Sequence, residues 1–295
     1  MRRNPWVFMI FVLLLAPVTI CAEIPKYSAL YVFGDSYCDV GNIYLATANS
    51  YPPAPYYPGR FSNGPIWVDH IASVLGVPSF GPSLAGGTDY AFGGAWVTAP
   101  AALPGGGGAI PSVPQQVLLY LSQHGGKADP NALYFLEGGG NDIVKTASNN
   151  PEALGYEIAV GLAESEMILR RAGARHFVIP NLFNVGLLPV ATETNRVAFA
   201  AAASAAANKW LAKLLEFEEM LPRVHIIRVD INSLMNAIMK DETHFNFQDV
   251  MSFCLTATPC KDPNKFFFWD DFHPTAFAHA DFAVAIENTL AIEDR

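Results

Sequence analysis

Apolar residues fall along this chain in short runs separated by longer, helix-periodic stretches. Leu30-Tyr31-Val32-Phe33 is aromatic and β-branched, and it stops at Gly34-Asp35-Ser36. Runs of that length bounded by turn residues predict strands buried on both faces. Residues 132–136, 176–179 and 224–229 repeat the pattern. Asp89-Tyr90-Ala91-Phe92 predicts a shorter strand closed by Gly93-Gly94, for about five strands in all.

Helical periodicity fills the intervals. It predicts helices over 37–47 (with Gly41 working against it), 66–75, 113–123 and 153–171, the last capped by Gly173. Residues 196–221 form an alanine-rich stretch, 231–239 a short helix, and a final alanine-rich helix runs to about 290. Proline and glycine make 51–65 and 98–114 loops, and 241–268 reads as irregular. The four glycines at 105–108 lack the lysine and the strand–loop–helix setting of a phosphate loop. Strands alternating with helices call for a parallel sheet covered on both faces. No linker, composition break or internal repeat divides residues 23–295, so one α/β domain is expected there.

Composition narrows the function. Of the 295 residues, 51% are hydrophobic and 15% charged, a core-rich globular balance. A net charge of −9 argues against a nucleic-acid partner, which requires a basic face. Residues 1–22 read as a secretory signal: Arg2 and Arg3, then an apolar run from Trp6, then Ala22 before the cleavage point. That run is short for the roughly 20 residues of a spanning helix. The expected location is therefore secreted or periplasmic, with no membrane span in the mature chain. In an oxidising compartment Cys254 and Cys260 are expected to pair, leaving Cys38 as a small buried thiol. No His-Glu-x-x-His and no cysteine–histidine cluster occurs, so neither metal nor cofactor is expected.

Four short stretches hold the chemistry. Ser36 leaves a predicted strand end, where open α/β sheets place their sites. Gly94 lets backbone approach a ligand, and Asn141 offers a side-chain amide after three glycines. Asp270 and His273 are three residues apart, close enough for the carboxylate to orient the imidazole. A serine nucleophile needs a base, the base an orienting acid, and the oxyanion preorganised donors. Asp35 and Asp142 read as braces for their turns, and the remaining histidines as structural.

In order, Phe33-Gly34-Asp35-Ser36, Ala91-Phe92-Gly93-Gly94-Ala95, Gly139-Gly140-Asn141-Asp142 and Asp270-x-x-His273-Pro274 resemble the blocks of the SGNH hydrolases, the GDSL esterase/lipase family. Residues 57–65, 111–117 and 180–182 are similar to segments of its plant and microbial branches. Tyr37 departs from the usual leucine and Asp89 from the usual asparagine. The resemblance implies a flavodoxin-like α/β/α sandwich. It also implies a serine esterase in which Ser36, His273 and Asp270 are catalytic and Ser36, Gly94 and Asn141 form the oxyanion hole. Carbohydrate acetylesterases, short-chain esterases, lipases and lysophospholipases all belong to the family. The expected substrate is a small-molecule, carbohydrate or lipid ester, with short-chain or acetyl esters preferred. Two other readings stand beside it: an acyltransferase on the same fold, and a non-catalytic carbohydrate-binding protein. The loops at 51–65, 98–114 and 241–268 are expected to shape the pocket.

Overall fold

Strand β1 (Leu30–Phe33) lies beside β4 (Leu133–Leu136), β4 beside β5 (His176–Pro180), and β5 beside β6 (His225–Val229), all parallel. The computed structural model describes residues 26–77 and 79–293, so the signal-like segment 1–22 lies outside the described residues. Register runs Leu30 to Leu133, Leu133 to His176 and His176 to His225. All four residues of β4 are buried, which is why its sequence is an unbroken apolar run.

Four strands form this sheet rather than the expected five. The segment 88–92 runs alongside β1 through Val32 N–H to Thr88 O at 3.3 Å, Tyr90 N–H to Val32 O at 2.8 Å and Phe92 N–H to Gly34 O at 3.1 Å. It does not become a regular strand because Asp89 serves loops instead. Its N–H donates to Gly81 O, and its buried carboxylate accepts from Val40 N at 2.8 Å. Counting this segment, the spatial order is 88–92, β1, β4, β5, β6, the flavodoxin-like arrangement. The chain leaves β1 outward and resumes on its other side at β4. The crevice of such a sheet therefore opens past the carboxyl ends of these two strands.

Helices cover both faces. On one, α5 (Pro151–Ala172) packs against α3 (Val113–Gln123) and α7 (Val197–Glu219). The alanine run of α7 buries Ala203, Ala206 and Ala207 against α5, and a Cβ on Gly155 would fall 2.6 Å from the Ala206 methyl. Small residues on both helices thus set a close approach. On the other face α2 (Trp67–Leu75) packs against α9 (Ala276–Glu293), and α8 (Ile231–Lys240) also meets α9.

The loops hold more structure than their sequences predict. The helix expected from residue 37 begins only at α1 (Asn42–Ala46), because Asp39 turns back to accept from the N–H groups of Gly41, Asn42 and Ile43. Residues 98–114 contain a small antiparallel pair, β2 (Ala101–Ala102) and β3 (Ala109–Ile110), joined across the glycines. Short helices α4 (Gly140–Lys145) and α6 (Pro189–Glu193) were not anticipated either. In the segment read as irregular, β7 (Asp249–Phe253) pairs in parallel with β8 (Phe266–Phe268). The Cys254–Cys260 disulfide closes the intervening loop, and Cys38 is free and buried. Cys254 N–H donates to Phe268 O at 3.1 Å and Leu255 N–H to Trp269 O at 2.6 Å, so the bridged loop steadies the segment entering Asp270.

Candidate active site

Past Phe33 the chain turns so tightly that it leaves no room for a side chain at Gly34. A Cβ there would fall 2.1 Å from Glu137 Oε1. The turn is clamped from beneath. Gln116 accepts from Gly34 N at 2.9 Å and donates to Gly34 O at 2.9 Å. Glu137 Oε1 accepts from Asp35 N at 2.7 Å and from the Cys38 thiol at 2.9 Å. Asp35 Oδ1 accepts from Tyr37 N at 3.0 Å, which is the turn-bracing role expected of it. Ser36 is thereby presented at the end of β1.

The Asp270–His273 pair is a self-contained turn. Asp270 Oδ1 accepts from the N–H groups of Phe272 at 2.8 Å and His273 at 2.5 Å. His273 Nδ1 lies 2.7 Å from Asp270 Oδ2 and 2.9 Å from Oδ1. With Nδ1–H donating to the carboxylate, Nε2 is left as acceptor, and Ser36 Oγ donates to it at 2.7 Å. Residues 237 apart in sequence thus meet in one hydrogen-bonded line.

The second and third blocks join the same site. Gly94 has φ +81°, a conformation that favours glycine, and lines the cleft with Ser36 and Asn141. Asp39 Oδ2 holds Gly93 N at 2.7 Å. Asp142 accepts from Val97 N at 2.9 Å and Thr98 N at 3.0 Å, fixing the backbone that follows Gly94. Asn141 is buried at the start of α4, and its Nδ2 donates to Asp35 Oδ2 at 3.2 Å. The N–H groups of Ser36 and Gly94 make no hydrogen bond within the protein among the described residues. Two unspent main-chain donors and an amide therefore border the serine, a set able to receive an oxyanion.

The cleft measures about 510 Å³. Tyr51, Tyr56, Phe61 and Trp96 line it with aromatic rings, and Lys145 lines it as well. Loops 51–65 and 98–114 contribute as expected, whereas 241–268 supplies no lining residue to it. Burial pushes the Asp270 carboxyl up, but His273, Tyr56 and the backbone donor outweigh it and hold the group below the usual carboxylate range. His279 is no rival base: burial pushes its imidazole down to about 3 and keeps it neutral. Sequence reasoning missed Tyr56, Gln116 and Glu137. Only Glu137 left a signal, as a charged residue directly after a fully apolar strand.

Glu137 gives the turn a pH dependence. Burial, and then the charge of Asp35, push its carboxyl up to about 8. A carboxyl raised in the fold stabilises it fully below the unfolded value, about 4.3, and loses that contribution as pH rises through the folded value. Glu137→Gln keeps the acceptor oxygen and cannot ionise. Its melting temperature should match that of the parent near pH 4 and exceed it at pH 9. Thermal denaturation at both pH values checks this, and equal melting temperatures at pH 9 would contradict it.

Residues 30–286 match the family described as GDSL-like Lipase/Acylhydrolase. The chain is similar to Lipase 1 of Photorhabdus luminescens, 26% identical, with 86% of this chain covered and 48% of the relative, so it spans about half that protein's length. It is also 26% identical to acetylajmalan esterase 2 of Rauvolfia serpentina, covering 92% of each chain. Among solved structures, Est24, a carbohydrate acetylesterase from Sinorhizobium meliloti, superposes with a TM-score of 0.51 at 13% identity, covering 89% of this chain and 98% of that one. That last likeness speaks for the fold alone. With the match reaching from β1 to α9, the chain belongs to the GDSL-like lipase/acylhydrolase family, a family of serine carboxylic ester hydrolases.

Proposed function

We propose that the protein hydrolyses carboxylic esters through an acyl-enzyme on Ser36. The observation that carries this reading is the line from Ser36 Oγ to His273 Nε2 at 2.7 Å and from His273 Nδ1 to Asp270 Oδ2 at 2.7 Å. His273 takes the hydroxyl proton as Oγ attacks the ester carbonyl. The oxyanion that forms is met by the N–H groups of Ser36 and Gly94 and the amide of Asn141. The tetrahedral intermediate collapses with breakage of the ester C–O bond, and the imidazolium returns its proton to the departing alcohol. Water, deprotonated by the same imidazole, then attacks the acyl-enzyme and releases the acid and Ser36. Asp270 keeps Nδ1 protonated and steadies the charged ring throughout.

Short-chain or acetyl esters are the proposed substrates. The acetyl ester named for the Rauvolfia relative supports this, as does a cleft bordered by Ala101, Ala102 and Ile110. Export is part of the proposal. It is supported by the signal-like residues 1–22 and by the Cys254–Cys260 bridge, which suits an oxidising compartment. Among the described residues no helix is long and apolar enough to cross a membrane. Rates on p-nitrophenyl esters of increasing acyl length test the substrate reading. kcat/KM should be highest for acetate or butyrate, and a maximum at long acyl chains would contradict it.

A further inference from the structure

The carboxylate oxygen closest to the imidazole has a second donor. Tyr56 Oη lies 2.6 Å from Asp270 Oδ2, the oxygen 2.7 Å from His273 Nδ1. Oδ1 is fixed by main-chain N–H groups of its own turn. Oδ2 has no main-chain donor among the described residues, so the phenol, 214 residues away in sequence, is its partner besides the imidazole. The Tyr56 ring stands edge-on to Phe61 and Trp269, with centroids 6.5 and 6.1 Å apart, and this packing aims the hydroxyl. Burial and the Asp270 charge push the phenol up, so it stays a donor through neutral pH.

We infer that Tyr56 is a positioning residue: its hydroxyl fixes Asp270 Oδ2 and shares the carboxylate charge, tying the Asp–His pair to the cleft wall. The inference rests on the triad proposed above. Neutral donation from Tyr56 draws charge away from Oδ2, so the carboxylate holds a protonated His273 less tightly than it would alone. The other titratable groups around the pair are Asp271 on the same turn, Asp35 and Tyr37 on the nucleophile turn, His279 of α9, Tyr51, and Lys145 of α4. A substitution at 56 leaves all of these side chains in place.

The test is the pH profile of kcat/KM on p-nitrophenyl acetate. Tyr56→Phe keeps the ring and loses the hydroxyl. Its acid limb should move to higher pH by about half a unit, and its plateau kcat should fall about tenfold, with KM nearly unchanged. Difluorotyrosine placed at position 56 is a stronger donor of nearly the same size, and it should move the limb to lower pH. This second variant decides the matter if Tyr56→Phe fails to fold. Tyr57→Phe, which removes an exposed neighbouring hydroxyl, should leave the limb in place. A limb at the parental position in both Tyr56 variants overturns the inference and leaves the triad standing. A parental profile with no acid limb overturns the triad and the inference with it.

Discussion

Ser36→Ala is expected to lower kcat for ester hydrolysis by on the order of 10⁴-fold or more, because members of a nucleophile–base–acid unit fail together. The fold should survive. Among the described residues Ser36 Oγ hydrogen-bonds only to His273 Nε2, whereas the turn itself is held by Gln116, Glu137 and Asp35 through other atoms. Its position also limits the structural cost, since the truncation removes one hydroxyl that borders an open cleft. Steady-state rates on p-nitrophenyl acetate and a far-UV spectrum of the purified variant check both halves. Near-normal turnover by a folded variant would contradict the acyl-enzyme account.

Asn141→Ala should cost about 10²–10³-fold in kcat with little change in KM, the size of one lost oxyanion donor. The amide carries two N–H groups. One is spent on Asp35 Oδ2 at 3.2 Å, which orients the side chain and leaves the other for a ligand. Alanine removes both. It also strips a donor from Asp35, whose carboxyl burial already pushes up. Initial rates over a range of substrate concentrations separate the parameters. A rise in KM alone would show that Asn141 contacts ground-state substrate instead.

The parts legible in the sequence are those with a local physical signature. β4 is buried along its whole length and β1, β5 and β6 over most of theirs, so their sequences are largely apolar, with half-buried His225 and Arg228 on the outer strand β6. Ser36, Gly94, Asn141, Asp270 and His273 each sit in a short motif beside turn residues, and the chemistry of those motifs and their resemblance, in order, to the GDSL esterase/lipase blocks proposed a common site. Tyr90, Ala91 and Phe92 predict a strand, and the segment does lie beside β1, but Asp89 also spends its groups on Gly81 and Val40 and the ladder stays irregular. β7 is hidden in the sequence because Val250 is its one buried residue and it lacks an apolar run. Tyr56 could not be read at all. A tyrosine in a proline-rich loop looks the same whether it lines a rim or donates to a carboxylate 214 residues away. Glu137 left a weak trace, a charged residue directly after an apolar strand, but nothing in the sequence shows that it accepts the Asp35 N–H beneath the nucleophile turn.

The central claim is that the acyl group passes through Ser36 Oγ. Labelling with a p-nitrophenyl alkylphosphonate, which traps an activated serine as a stable adduct, tests it most directly. Peptide mapping of the inactivated protein should place one adduct on Ser36, and Ser36→Ala and His273→Ala should remain unlabelled under the same conditions. An adduct on another residue, or ester hydrolysis that persists with Ser36 fully modified, would contradict the account.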